Sequence, residues 1–164
     1  MPWSMQTSRF LTFVGFLIGL VVIYAAGTQQ PVSQSEASML VGNVPTIVSA
    51  RSVWLHNLVI ALFELVPVAG IALAGYSAWT TGLTTASIAL NHNIPSVLLL
   101  GDLLFTPFFW LEFSGYALSL TASFWLVKSL VQRKWRSELP VFFATLVIMA
   151  VVLAVSAMIE VFYV

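Results

Sequence analysis

The chain has 164 residues, 60% of them hydrophobic and only 7% charged, and its mean hydropathy is +0.99. Soluble domains normally carry about a quarter charged residues, so this composition excludes an ordinary soluble protein and predicts a single integral membrane domain over residues 1–164. The net charge of zero gives no reason to expect nucleic-acid binding, and the lack of cysteine excludes disulfides, thiol nucleophiles and thiolate metal sites.

The first predicted membrane span covers residues 10–26, directly after Arg9, because a crossing needs about 20 mostly apolar residues. The small residues Ala25-Ala26-Gly27 leave a second interpretation open, in which this stretch is a signal peptide. Residues 27–51 are rich in Ser, Gln and Pro and predict an external loop. Within that loop, the weakly amphipathic residues 35–50 are expected to lie at the membrane interface.

The remaining residues, 53–164, are predicted to form the helical core. Residues 94–106 are too short to cross the membrane and are bracketed by Pro95 and Pro107. They predict a re-entrant half-helix, which is tolerable only if its ends are buried in protein. The other spans of the core are predicted at residues 53–76, 77–90, 108–131 and 140–163. The expected fold is therefore an all-α, polytopic transmembrane helix bundle with about five crossings plus one re-entrant half-helix.

The basic residues predict the orientation of this bundle. Lys128, Arg133, Lys134 and Arg136 cluster in one short loop. Loops rich in Lys and Arg stay on the cytoplasmic side, so residues 128–138 are predicted to be cytoplasmic. With five crossings, the N-terminus is also cytoplasmic and the C-terminus external. The predicted location is the cell (plasma) membrane, with several passes.

Four acidic residues fall inside the predicted membrane region, namely Glu64, Asp102, Glu112 and Glu160. A charge at mid-bilayer costs several kcal/mol, so such residues usually face the bundle interior and serve a purpose. In the predicted topology, Asp102, Glu112 and Glu160 share the outer half of the bundle. Three further polar residues are expected in the same half, which are His56, Asn57 and His92.

Helical spacing indicates which faces point inward. Asn57 and Glu64 are seven positions apart and lie on one face of a helix. Gly115, Ser119 and Ser123 follow one another at four-residue spacing and form a ridge of small residues, which allows another helix to approach closely. Glu112 lies three residues before this ridge. We therefore expect Glu112 to face the interior and to hydrogen-bond a neighbouring helix or the half-helix.

These residues also have structural interpretations. Glu112 and Glu160 suit protonated or hydrogen-bonded carboxyls that hold helices together, and they also suit an ion or proton pathway. Glu64 fits a packing role beside a kink at Pro67, and Gly70 and Gly82 fit close helix packing. Metal ligation by His56 or His92 is the less favoured alternative for these lone histidines.

No motif for nucleophilic, metallohydrolase or nucleotide chemistry is present in the sequence. An intramembrane hydrolase that pairs Glu112 with Glu160 is the enzymatic alternative, and it is not favoured. The sequence therefore predicts no enzyme activity, no cofactor and no metal.

Residues 55–83, LHNLVIALFELVPVAGIALAGYSAWTTGL, resemble the second span of the stage II sporulation protein M family. In that family an Asn opens the helix, a Pro-x-x-Gly interrupts it and a small pair with Gly follows. The corresponding residues of this chain are Asn57, Pro67 with Gly70, and Thr81 with Gly82.

Two later segments extend the resemblance to about residues 50–164. Residues 106–126 are similar to the family's Pro-His-x-x-x-Glu segment through Pro107 and Glu112, with Phe108 where the family often has His. Residues 155–164 are similar to its closing Ala-x-x-Glu run through Ala157 and Glu160.

The resemblance implies the architecture and a non-enzymatic partner role. Founding members of the family act in spore-forming bacteria as polytopic partners of cell-wall-remodelling proteins during engulfment. The expected function is that of a scaffold or partner subunit of a membrane or cell-envelope complex, in contact with lipid and other membrane or envelope proteins. The sequence is also compatible with a homo-oligomer. The alternative function is a small transporter or channel component whose buried carboxylates move an ion or proton.

Overall fold

The structure, a computed structural model, describes residues 3–42 and 49–163. Within these ranges the chain is all-α, which confirms the predicted fold class. The helices are α1 (Trp3–Thr28), α2 (Gln34–Gly42), α3 (Ala50–Glu64), α4 (Ala69–Asn91), α5 (Ser96–Leu104), α6 (Pro107–Val131) and α7 (Trp135–Tyr163).

Fewer helices qualify as membrane spans by length and composition than the five crossings predicted. In the described residues, α1 from Met5 onward and α7 qualify, and the bent pair of α5 and α6 adds a third if it counts as one span. The α3 helix has only 15 residues and is shorter than the hydrocarbon core. The α4 helix is long enough, with 23 residues, but it is rich in Thr, Ser and Gly.

Contacts along α6 set the directions of the neighbouring helices. The hydroxyl of Ser119 donates to the carbonyl of Ala61, and that of Ser123 donates to the carbonyl of Leu65 at 2.9 Å. Both bonds span 58 residues, so α3 runs parallel to α6. The hydroxyl of Ser156 donates to the carbonyl of Phe108 at 2.9 Å and places the end of α7 beside the start of α6. The α7 helix is therefore antiparallel to α6.

The α1 helix crosses α4 at a pair of glycines. A Cβ atom on Gly82 would overlap the carbonyl oxygen of Tyr24 and would lie 2.9 Å from the Cα of Gly27. Only glycine permits this approach of the two backbones. Near its start, α1 contacts the far end of α6, where the guanidinium of Arg9 lies over the ring of Trp125. The α1 helix is therefore antiparallel to α6.

The break between α3 and α4 differs from the prediction. A single span at residues 53–76, followed by another at 77–90, is wrong, because the helix ends at Glu64 and restarts at Ala69. Pro67 lies in the break and lacks the N–H that a helix interior needs. A Cβ atom on Gly70 would overlap the backbone of Glu64, so the chain turns tightly here. The α4 helix continues through Ser77. The hydroxyls of Thr80 and Thr81 donate to the backbone carbonyl of Ser77 within the same helix.

The short helix α5 is bent by 79° relative to α6 at a break next to Pro107. Pro95 lies at its start, so prolines bracket it as the sequence indicated. None of its residues is buried. The expectation that a re-entrant half-helix has its ends buried in protein is therefore not met, and the side chain of Phe105 beside its end is 92% exposed.

The predicted basic loop at residues 128–138 is shorter than expected. The α6 helix continues to Val131 and α7 begins at Trp135, so only residues 132–134 separate them, and Pro140 lies inside α7. An ion pair joins Arg9 to Glu138. The start of α1 and the α6–α7 turn therefore lie at the same end of the bundle, as the predicted topology requires.

The predicted external loop at residues 27–51 is partly helical. Residues 43–48, which belong to the predicted interfacial segment, lie outside the described residues. A capping box begins α2, because the hydroxyl of Ser33 accepts from the backbone N–H of Glu36 while the Glu36 carboxylate accepts from the Ser33 backbone at 2.9 Å. The α2 helix packs against α4 through the buried residue Ala37.

Candidate functional site

A cavity of about 600 Å³ lies among α1, α3, α4 and α6, and a residue of α7 also lines it. Three of the four predicted intramembrane acids, Glu64, Glu112 and Glu160, line this cavity. They come from three different helices, α3, α6 and α7. The exposed residues Ser52 and His56 also line the cavity, which is therefore open where α3 begins.

Glu64 is the most enclosed of the three acids. It is the last residue of α3, and its side chain is only 1% exposed. Its Oε2 atom is buried and has no hydrogen-bond partner. A buried carboxylate oxygen without a partner is costly. Glu64 therefore lines the cavity and carries an unused acceptor in the packed protein beside it.

Glu112 has a partner on its own helix. The hydroxyl of Tyr116 donates to Oε1 of Glu112 at 2.8 Å, one turn further along α6. The predicted hydrogen bond from Glu112 to a neighbouring helix or to the half-helix is therefore replaced by one within α6. The bond holds the carboxyl at the cavity, because Tyr116 also lines it.

The third acid, Glu160, lies in the last turns of α7. Its Oε2 atom is buried and lacks a hydrogen-bond partner, like that of Glu64. The register of Ser156 with Phe108 brings Glu160 close to the start of α6. Glu160 therefore lies near the open end of the cavity.

The three acids occupy successive depths. Glu160 lies beside the start of α6, and Glu112 comes about one turn after that start. The parallel register of α3 and α6 places Glu64 beside Ala122, two to three turns deeper than Glu112. The hydroxyl of Tyr116 lies at the level of Glu112, to which it donates. The acids thus form a series along the cavity.

Aromatic rings form another wall of the cavity. The rings of Phe109 and Phe113 stack with centroids 4.4 Å apart. The ring of Tyr24 on α1 lies 5.3 Å from Phe109 and 5.5 Å from Phe113. The Tyr24 hydroxyl is 2.9 Å from that of Thr85 on α4. This contact ties α1 to α4 beside the cavity.

The other predicted site residues divide into two groups. Asn57 is buried and lines the cavity with Glu64, on the same helix. Asp102 and His92 are exposed and do not line it, so their predicted place in the outer half of the bundle does not bring them to this cavity. The physical reason for Asp102 is its position on the exposed side of α5, since the other side packs the partly buried residues Leu100, Leu103 and Leu104 against the core.

The ridge of small residues lies inside the bundle, beside the cavity. Gly115 packs against the side chain of Leu153 on α7. Ser119 and Ser123 hydrogen-bond to backbone carbonyls of α3, as described above. The ridge holds α3 and α7 against α6, so it positions the helices that carry the three acids. Pro67, Gly70, Gly82 and Pro107 lie at turns or helix crossings outside the cavity lining.

Sequence reasoning missed the hydroxyl groups of Tyr24, Thr85 and Tyr116. One signal was available, because Tyr116 follows Glu112 by four residues and such a pair shares a helix face. Tyr24 carried no comparable signal, since its partner is 61 residues away. Among the described residues, no group of three or more His, Asp or Glu side chains is arranged to hold a metal ion.

Comparison of the chain with protein-family models, curated proteins and solved structures found no match. The resemblance to the stage II sporulation protein M family therefore stays a prediction.

Proposed function

We propose that this protein is a small transporter or channel component that moves a proton or another cation through its carboxylate-lined cavity. One observation carries the proposal, namely that Glu64, Glu112 and Glu160 reach a single cavity from three helices. Ionisable residues within membrane bundles usually mark ion or proton pathways.

The charges around the cavity support this proposal. Its described lining contains three glutamates and one histidine but no lysine or arginine. Carboxylates in one cavity repel one another, and removing them from water costs several kcal/mol per ion. Protons or a bound cation would compensate these charges. A cavity that needs a positive charge in this way is suited to accepting cations from one side and releasing them to the other.

The arrangement of the helices also supports a pathway. In this proposal, the apolar helices α1, α6 and α7 cross the membrane, and the antiparallel α3 and α4 form two further passes among them. The polar composition of α4 is tolerable at membrane depth because four of its threonines line the cavity, Thr80, Thr81, Thr84 and Thr85. The end with Arg9 and the α6–α7 turn faces the cytoplasm of a multi-pass plasma membrane protein.

A scaffold or partner subunit of an envelope complex is the second candidate. The exposed helix α5 favours it, since Val97 and Leu98 are more than half exposed and Phe105 is 92% exposed. The resemblance to the sporulation family favours the same role. A scaffold does not require the charge of Glu64 or Glu112, so substitution of these residues separates the two candidates.

Reconstituted vesicles provide the test. The purified protein is placed in liposomes that contain a pH-sensitive dye, and a potassium diffusion potential, negative inside, is applied. We expect faster acidification than in empty liposomes, and a several-fold loss in the Glu64→Gln and Glu112→Gln variants. Glu36→Gln is the matched control, because it removes an exposed acid outside this cavity. Proton flux equal to that of empty liposomes would overturn the proton pathway and favour the scaffold.

A further inference from the structure

The geometry of the cavity points to its substrate class. We infer that it binds an organic cation with a bulky apolar body, which places its positive charge between the levels of Glu64 and Glu112 and its body against the aromatic wall. This inference rests on the proposed function, because it takes the same cavity to be the cation site.

The size of the cavity is the first argument. Small-molecule sites have volumes of about 300–1,000 Å³ and are mostly apolar with a few placed polar groups. A cavity of about 600 Å³ falls within that range. Protons or a bare metal ion would need far less space than this. The volume therefore suits a molecule of tens of atoms.

The chemistry of the walls is the second argument. Tyr24, Phe109 and Phe113 form the aromatic wall, and Phe108 and Tyr116 also line the cavity. Aromatic faces attract organic cations by about 0.5–2 kcal/mol in addition to their apolar contact. Carboxylates beside such a wall combine charge recognition with apolar recognition. A small inorganic ion would use only the carboxylates.

The unsatisfied carboxyl oxygen is the third argument. Glu64 lines the cavity with a side chain that is only 1% exposed, and its buried Oε2 atom has no hydrogen-bond partner. An ammonium or phosphonium charge at this depth would compensate that oxygen. The acids are spread over successive depths, so they suit a diffuse organic charge better than a single metal ion. The described acids and histidines form no metal-binding group.

Tetraphenylphosphonium is the probe for this inference, because it is a bulky aromatic monocation. Its binding to the detergent-purified protein is measured by titration calorimetry against a detergent blank, and neutral triphenylphosphine oxide is the comparison ligand. We expect saturable binding of the cation at one site. The affinity for the neutral compound should be at least about tenfold lower than that for the cation, since a buried charge contact is worth more than 1.4 kcal/mol.

The carboxylate variants locate the site. Glu64→Gln and Glu112→Gln should each weaken binding of tetraphenylphosphonium by about tenfold or more, for the same reason. Glu36→Gln should leave it unchanged. The comparison of charged and neutral ligands uses the wild-type chain, so it holds even if a variant does not elute as a single species in size-exclusion chromatography.

The outcomes separate this inference from the proposed function. Proton flux in vesicles without tetraphenylphosphonium binding overturns the inference and leaves the proposed function standing. Equal affinity for the charged and neutral ligands also overturns the inference. Carboxylate-dependent binding without proton flux supports the cation site and overturns proton movement through the cavity. Absence of both flux and binding overturns both.

Discussion

The hydroxyl of Tyr116 donates a 2.8 Å hydrogen bond to the carboxyl of Glu112, four residues earlier on α6. Both residues line the cavity, so the bond fixes the orientation of the Glu112 carboxyl there, which the sequence alone does not predict. It also explains why a glutamate is tolerated in the apolar stretch 108–119. The acid has a fixed partner and lines the internal cavity.

Replacement of Glu112 tests this arrangement. Glu112→Gln should keep the fold, because the amide oxygen still accepts from Tyr116. Glu112→Leu should destabilise the bundle by about 1–3 kcal/mol, since it leaves the buried Tyr116 hydroxyl without its acceptor. Thermal aggregation of the purified protein in detergent measures both. A leucine variant as stable as the wild type would contradict a structural role for the bond.

Removal of the donor gives a second prediction. Tyr116→Phe should lower stability by about 1 kcal/mol, the net worth of a typical hydrogen bond, while it keeps the ring. Tyr76→Phe is the matched control, because Tyr76 is 69% exposed on α4 and should tolerate the change. The same aggregation assay applies. Equal losses in the two variants would show that the bond to Glu112 contributes nothing specific.

The glycine crossing of α1 and α4 gives a third prediction. Gly82→Ala should destabilise the protein by roughly 1–3 kcal/mol or prevent its folding, because the new methyl group overlaps the Tyr24 carbonyl. Gly101→Ala on α5 is the control, since a Cβ there meets nothing within 4 Å. Size-exclusion chromatography in detergent reports folding. An unaffected Gly82 variant would argue against this helix crossing.

The orientation of the bundle is the fourth prediction. The chain has no cysteine, so single cysteines report accessibility directly. Lys134→Cys should resist a membrane-impermeant maleimide in intact cells and react after permeabilisation. Ser35→Cys in α2 should react in intact cells. Labelling of position 134 from outside would reverse the topology, and with it the predicted cytoplasmic location of the Arg9–Glu138 pair.

The capping box of α2 gives a pH prediction. Hydrogen bonds from the side chain and backbone of Ser33 lower the pKa of Glu36 below its usual value. Because the pKa of Glu36 is lower in the folded than in the unfolded state, its ionised carboxylate stabilises α2 at pH values above the unfolded pKa. This stabilisation is lost as the pH falls through the folded pKa. Hydrogen exchange of the α2 amides, corrected for intrinsic rates, should therefore accelerate as the pH falls below the usual pKa of a glutamate.

Glu36→Gln provides the control for that measurement. Its amide can still accept from Ser33 but does not titrate in this range. Protection of the α2 amides should then be independent of pH. A pH step that persists in this variant would assign the effect to another group.

The amino-acid sequence by itself indicated the environment of this protein and the position of one helix break. Its low charge predicts a membrane environment, with which the two or three helices apolar enough to cross a membrane are compatible, and Pro67 marks the α3–α4 break because proline cannot donate within a helix. The four-residue spacing of Gly115, Ser119 and Ser123 indicated a packing ridge, since these positions share a helix face. The predicted boundary at Ser77 was wrong, because a serine keeps its backbone N–H and does not by itself end a helix.

The tertiary structure alone decided which acids meet. The sequence marks four intramembrane acids and does not distinguish among them. Of these, Glu64, Glu112 and Glu160 line the cavity, and Asp102 does not. Periodicity assigns a residue to a face of its own helix, but the neighbour of that face depends on the register and direction of the other helices. Those depend on contacts between distant residues, such as Ser119 with Ala61 and Gly82 with Gly27. The cavity exists because these contacts hold the helices at fixed depths.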